Sequence, residues 1–76
     1  MMNVYGCNYN GKVRRVVCAK NKKEAAMLIG VSYSYFRAYG CETANLKELD
    51  ICTASPLTVF ETDGVCGDEY TIAESN

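Results

Sequence analysis

Residues 21–40 constrain the fold of this chain more than any other stretch, because they carry the signals for two short helices and a tight turn. Asn21 is a good N-cap for the first helix, and Glu24, three residues on, has the spacing of a capping box. Gly30 tolerates the left-handed conformation that ends a helix tightly, and Ser32 is placed to cap a second helix. The sequence therefore predicts a helical pair with its turn at Gly30.

A β-hairpin is predicted before the helical pair, within residues 3–19. Asn10 and Gly11 favour a two-residue type I′ turn, since both central positions of that turn need positive φ. A two-residue turn would place Tyr9 opposite Lys12 and would set the register of both strands. Each face of this hairpin mixes apolar and charged groups, so the sequence leaves open which face is buried.

A second hairpin is predicted after the helical pair. Residues 57–62 have the β-branched and aromatic content of a strand, Asp63 and Gly64 indicate a turn, and residues 69–73 favour a return strand. Residues 43–49 have room for one or two helical turns before it. The expected fold class is thus α+β, a small single domain with an antiparallel sheet from two β-hairpins flanking the helical pair.

The length and the apolar content agree with one compact domain. Seventy-six residues allow a small core, and an apolar fraction of 49% is ordinary for a globular chain, so we expect residues 1–76 to form a single domain. The residues expected to be buried are Ala26, Leu28, Ile29, Val31, Phe36, Tyr39, Leu49, Val59 and Phe60.

No membrane segment or secretory signal is expected. The longest apolar run, residues 25–29, is far too short to cross a bilayer, and the start of the chain lacks a basic region followed by a long apolar stretch. The five cysteines are an odd number, which fits reduced thiols better than a disulfide framework. These features predict a cytoplasmic protein.

The residue types argue against an enzyme. The chain has no histidine, so a Ser-His or Cys-His nucleophile cannot form within it. The cysteine intervals lack a closely spaced pair of the kind that binds zinc, and no glycine-rich phosphate loop is present. We therefore expect a non-enzyme with no metal and no cofactor.

Charge is divided unevenly along the chain. Residues 1–40 contain seven Lys or Arg and one Glu, which gives +6, whereas residues 41–76 contain one Lys and eight Asp or Glu, which gives −7. Such asymmetry can mark separate binding faces, or two solvated faces that attract each other in the fold. Charge alone leaves both interpretations open.

The helical pair also has the spacing of a helix-turn-helix. A small residue, Ala26, stands where the helices would cross, and Gly30 follows four residues later at the turn. Residues 24–32 resemble the pattern Glu-Ala-Ala-x-Leu-x-Gly-Val-Ser, which is frequent in the helix-turn-helix of small phage and plasmid DNA-binding proteins of the excisionase and MerR-like group. The resemblance covers about 20 of the 76 residues.

This resemblance implies a nucleic-acid-binding regulator of a phage or mobile element, with DNA as the partner and residues 32–38 as the recognition helix. A homodimer is compatible with the sequence. Arg37 is the best candidate for a bidentate contact to guanine. The remaining expected contacts are Ser32, Tyr33 and Ser34 at base edges, and Lys20, Lys22, Lys23, Arg14 and Arg15 at phosphates.

An alternative follows from departures from that family. A hairpin precedes the helical pair here, and the turn of the second hairpin is acidic, which would repel phosphate. In size and composition the chain also resembles small phage-encoded proteins that bind and block a host protein, CRISPR–Cas and other defence machinery included. A surface for such a partner would combine tyrosines with carboxylates: Tyr33, Tyr35, Glu61, Asp63, Asp68 and Glu69.

Overall fold

The computed structural model describes residues 2–9, 13–63 and 69–73. These residues form an α+β fold with five strands and three helices. In chain order the elements are β1 (Asn3–Tyr9), β2 (Val13–Ala19), α1 (Lys22–Ile29), α2 (Tyr33–Tyr39), β3 (Gly40–Glu42), α3 (Leu46–Ala54), β4 (Phe60–Asp63) and β5 (Thr71–Ile72).

The strands form one antiparallel sheet in the order β3-β1-β2-β4-β5, with the N-terminal hairpin at its centre. The predicted register of that hairpin was wrong by one residue, because Tyr9 lies opposite Val13 and three residues separate the strands. The observed register places Tyr5 opposite Val17, so apolar side chains match across the strands. Residues 10–12, which carry the turn signal, lie outside the described part of the chain.

Helices cover both faces of the sheet, which answers the question of which face of the hairpin is buried. Helices α1 and α2 pack on one face, and α3 packs on the other. Alternate residues of each central strand therefore enter different cores. The first core contains Tyr5, Cys7, Val17, Ala19, Ala25, Ala26, Ile29 and Phe36, and the second contains Val4, Val16, Cys18 and Cys52.

The caps of the helical pair are confirmed. The Asn21 side chain accepts a hydrogen bond from the backbone N–H of Glu24 (2.8 Å). The carboxylate of Glu24 reaches one residue further back than in a capping box and accepts the backbone N–H of Lys20 (3.0 Å). Gly30 adopts φ 99°, a left-handed conformation that closes α1. The Ser32 hydroxyl then caps α2 by accepting the backbone N–H of Tyr35 (3.1 Å).

Three predicted elements have different bounds. The helix expected within residues 43–49 begins at Leu46 and runs to Ala54, because Asn45 is its N-cap. The strand expected at residues 57–62 begins only at Phe60, because Leu57 adopts φ 68° and its backbone N–H bonds the carbonyl of Cys18. The return strand expected at residues 69–73 is limited to Thr71–Ile72. Strand β3 was not predicted.

The predicted core is confirmed in part. Ala26, Ile29 and Phe36 are buried as expected, but Tyr39 is 62% exposed. Tyr39 is exposed because it is the last residue of α2, whereas Phe36, three residues earlier, is the residue of this helix that is fully buried. The other five residues expected in the core are half-buried: Leu28, Val31, Leu49, Val59 and Phe60.

None of the helices in the described ranges is long and apolar enough to span a membrane.

Candidate nucleic-acid interface

A shallow groove lies where the N-terminal ends of α1 and α2 meet strand β1. Its lining brings three of the predicted phosphate contacts next to one of the predicted base contacts. The caps described above fix this arrangement, because they hold the first turn of each helix in place. The lining residues are Tyr5, Lys20, Asn21, Lys22, Lys23 and Tyr33.

Helix α2 places its exposed side chains in three rows. Successive residues of an α-helix are about 100° apart. With Phe36 pointing into the core, Ser34 and Ala38 therefore form the outward ridge. Tyr33 and Arg37 share the flank that adjoins the groove, where the guanidinium carbon of Arg37 lies 5.8 Å from the centre of the Tyr33 ring.

The opposite flank of α2 carries a second pair of aromatic rings. Tyr35 and Tyr39 are also one turn apart, and their ring centres are 4.7 Å apart. Tyr35 is half-buried against the first core, whereas Tyr39 is largely exposed. The two flanks thus differ in charge, since the cation of this helix lies beside Tyr33.

The cations at the groove have no carboxylate partner within the described ranges. The ion pairs in those ranges are formed by Arg14 and Arg15, which do not line the groove. We refer to Lys20, Lys22, Lys23 and Arg37 together as the basic surface. All four side chains are exposed to solvent, so their charge is available to a polyanion.

Arg15 is held away from this surface by three contacts. Its Nε donates to the carboxylate of Glu61 at 2.8 Å, its Nη1 donates to the carbonyl of Ile29 at 2.9 Å, and its guanidinium lies 3.8 Å from the centre of the Tyr9 ring. Arg15 thus caps the C-terminal end of α1 and joins it to the sheet. Its contacts assign it a structural role.

Arg14 points to the other face of the sheet, where it pairs with Glu48. Its Nε and Nη2 donate to the two carboxylate oxygens at 2.9 and 3.1 Å, a bidentate pair. Gly6 leaves the room for this, because a Cβ there would collide with the guanidinium of Arg14. Like Arg15, Arg14 is committed to the fold.

Glu48 is 2% exposed, yet its carboxylate is fully satisfied. Besides Arg14, it accepts hydrogen bonds from the hydroxyls of Thr43 (2.6 Å) and Tyr70 (2.7 Å). Burial alone would raise the pKa of Glu48, but the hydrogen bonds from Arg14, Thr43 and Tyr70 together hold that pKa below its usual value. Burial and the bond to Glu48 raise the pKa of Tyr70 to about 12.

The carboxylates named for a protein partner do not form one surface with the tyrosines in the described part of the chain. Helix α2, with Tyr33 and Tyr35, packs over β1 and β3, whereas Glu61 lies in β4 beyond β2 and is paired with Arg15. Glu69 is exposed near β5. The side chain of Asp63 and all of Asp68 lie outside the described residues.

The described cysteines are free thiols: Cys7, Cys18 and Cys52, which are buried, and Cys41, which is exposed. Burial raises the pKa of Cys7 and raises that of Cys52 to about 12, so both stay protonated and behave as small apolar groups. Within the described ranges, no group of three Cys, Asp or Glu side chains is placed to hold a metal ion.

Sequence reasoning missed Glu48, Thr43 and Tyr70 because they are far apart in the chain and no motif joins them. The Asn45 cap three residues before Glu48 was the available clue, since it fixes where α3 begins. Neither the protein-family models, nor the curated proteins, nor the solved structures contain a significant match to this chain.

Proposed function

We propose that this protein binds nucleic acid through the basic surface and helix α2, as a regulator of helix-turn-helix type from a phage or mobile element. One observation carries the proposal: Lys20, Lys22 and Lys23 line one groove with Tyr33, and Arg37 adjoins it. Phosphates are the natural partners of such unneutralised cations. Ser34 and Ala38 are exposed and small, so they let helix α2 approach a nucleic acid closely.

The placement of Arg14 and Arg15 sharpens this proposal. Both were candidates for phosphate contacts, but each guanidinium is already paired with a carboxylate of the acidic half. The charge asymmetry of the sequence is therefore satisfied in part within the fold. What is left for a polyanion is the basic surface alone, so we expect three or four phosphate contacts rather than a larger number.

A fluorescence anisotropy titration with random-sequence duplex DNA tests the proposal, from low to physiological salt. Binding should weaken steeply as salt rises, because each phosphate contact contributes about −0.9 to the slope of log affinity against log salt. Lys22→Gln combined with Lys23→Gln should reduce that slope by about 2. Lys47→Gln is the matched control, because Lys47 lies on α3 at the other face of the sheet.

Arg37 and the lysines should differ in their effect on sequence preference. If Arg37 reads a base, Arg37→Ala should weaken binding to the preferred sequence, whereas Lys22→Ala should weaken binding to all sequences alike. Equal losses from both variants would argue against base readout by Arg37. Absence of binding to any nucleic acid at low salt would refute the proposal itself.

A second candidate, a protein that binds and blocks a host protein, is favoured by a different observation. Tyr39 is 62% exposed beside the Tyr35 ring, on the flank of α2 away from the groove. Exposed tyrosines are frequent anchors of protein interfaces. A partner captured by the wild-type protein and lost with Tyr39→Ser, but retained with Lys22→Gln, would favour this candidate over the first.

A further inference from the structure

The groove contains an aromatic ring that phosphate binding does not require. Tyr33 is 43% exposed and lines the groove beside Lys20, Lys22 and Lys23. Lysines neutralise phosphates along a backbone, but a tyrosine ring contributes to binding mainly by stacking on a flat apolar group. The lining therefore combines a phosphate-binding part with a stacking part.

The position of Tyr33 on its helix bears on what can reach it. Ser34 and Ala38 form the outward ridge of α2, and a duplex that meets this helix would contact that ridge first. Tyr33 lies on the flank instead, inside the concavity, with Arg37 one turn away over its ring. Bases within a duplex are stacked on each other and present only their edges, so a ring inside the groove can be covered only by an unpaired base.

The cap of α2 fixes the backbone that carries the Tyr33 ring. Ser32 caps the helix one residue before Tyr33, and the guanidinium carbon of Arg37 lies 5.8 Å from the centre of the ring. A base that stacks on this ring therefore does not have to order the backbone beneath it.

We infer that the groove accepts a single-stranded segment of nucleic acid, with one base stacked on Tyr33 and the neighbouring phosphates at Lys20, Lys22 and Lys23. The inference rests on the proposed nucleic-acid binding and names the form of nucleic acid that the same surface prefers. Duplex DNA would still bind through the basic surface, more weakly and without a contribution from Tyr33.

The experiment compares a labelled oligothymidine of about 12 nucleotides with a duplex of the same length, by fluorescence anisotropy at low salt. The wild-type protein should bind the single strand more tightly. Tyr33→Leu should weaken single-strand binding about tenfold and change duplex binding less than twofold, whereas Tyr33→Phe should retain the wild-type affinity. Tyr39→Leu is the matched control, since it removes a ring from the opposite flank of the same helix.

The outcomes separate this inference from the proposed function. Binding to neither probe refutes both. Duplex binding that is as tight as single-strand binding, or single-strand binding that Tyr33→Leu leaves unchanged, overturns the inference and leaves the proposed function standing. Thermal unfolding of each variant confirms that it is folded, and if Tyr33→Leu unfolds, the wild-type preference between the two probes and the Tyr33→Phe affinity decide.

Discussion

The two faces of the sheet use charge in opposite ways. The face under α3 takes charge inside, where Glu48 and Arg14 are joined by a bidentate ion pair and two hydroxyls complete the carboxylate's hydrogen bonds. The face under α1 and α2 has an apolar core around Phe36 and Ile29 and leaves its lysines at the rim. Buried and exposed charge are thus separated: the apolar core packs without Lys20, Lys22 and Lys23, which stay at the surface.

The largest expected effect is on the apolar face. Phe36 is fully buried, and its ring meets that of Tyr5 edge-on at 6.0 Å between centres. Phe36→Ala should lower the free energy of unfolding by about 4 kcal/mol, from lost burial and the cavity left behind. Urea denaturation measures this. Tyr39→Ala on the same helix is the control and should cost less than about 1 kcal/mol, since Tyr39 is exposed; similar costs for both would contradict the description of this core.

The charged face comes next. Glu48→Ala should lower the free energy of unfolding by about 3 kcal/mol, because Arg14 and the hydroxyls of Thr43 and Tyr70 lose their shared acceptor. Glu61→Ala removes the partner of Arg15 at a more exposed site and should cost about 1 kcal/mol. If urea denaturation gave equal losses of unfolding free energy for Glu48→Ala and Glu61→Ala, burial of the Glu48 pair would not make it more stabilising than the exposed pair.

The same network predicts how stability depends on pH. The pKa of Glu48 is lower in the folded protein than in the unfolded chain, so the folded state binds fewer protons there. Its contribution is complete above the ordinary glutamate pKa of about 4.3 and is lost as pH falls through the lower, folded pKa. The pKa of Tyr70 is raised to about 12, so its contribution is complete below about pH 10 and is lost as pH rises towards 12.

Thermal unfolding across pH measures the loss of stability at both low and high pH. Glu48→Gln should remove the loss at low pH that this residue contributes, and Tyr70→Phe should remove the loss at high pH that Tyr70 contributes. An unfolding midpoint whose pH dependence is identical in wild type and Glu48→Gln would mean that other carboxylates dominate acid unfolding.

A smaller effect is expected at the cap of α1. Asn21→Ala removes the acceptor for the backbone N–H of Glu24 and should cost about 1 kcal/mol. Asn21→Asp is the matched control, since an aspartate caps about as well. Urea denaturation of both variants distinguishes loss of the cap from loss of an amide in the groove.

The smallest effect on stability, and the largest on binding, is expected at the rim of the apolar face. Lys22→Gln with Lys23→Gln should change the free energy of unfolding by less than about 0.5 kcal/mol, because neither lysine forms an ion pair in the described part of the chain. Together with the salt titration above, this result would show that these lysines contribute to binding and not to stability. A large loss of stability would show that these lysines serve the fold.

Local patterns accounted for the helical pair more fully than for the sheet. The caps at Asn21 and Ser32 and the turn at Gly30 were predictable, because each depends on residues within one or two turns. The hairpin register, the start of β4 and strand β3 were not, because they depend on partners elsewhere in the chain. The turn pair at Asn10 and Gly11 predicted the hairpin itself but not its register, in which Tyr5 lies opposite Val17.

The candidate site divides in the same way. Sequence spacing was enough to select Lys20, Lys22, Lys23 and Tyr33 as candidates, because they stand at the starts of two adjacent helices. Whether they share one groove depended on how those helices pack on β1. The roles of Arg14 and Arg15 also depended on the tertiary structure. Side chains alternate along β2, so the two arginines lie on opposite faces of the sheet, where Arg14 pairs with Glu48 and Arg15 pairs with Glu61.

The sequence by itself determined the α+β class, the helical pair with its caps, and the charge that the two halves of the chain carry. Only the tertiary structure decided which charges are neutralised inside the protein and which remain at its surface. The physical reason is range: capping and turn preferences act between neighbours in the chain, whereas ion pairs such as Arg14 with Glu48 join residues that only folding brings together.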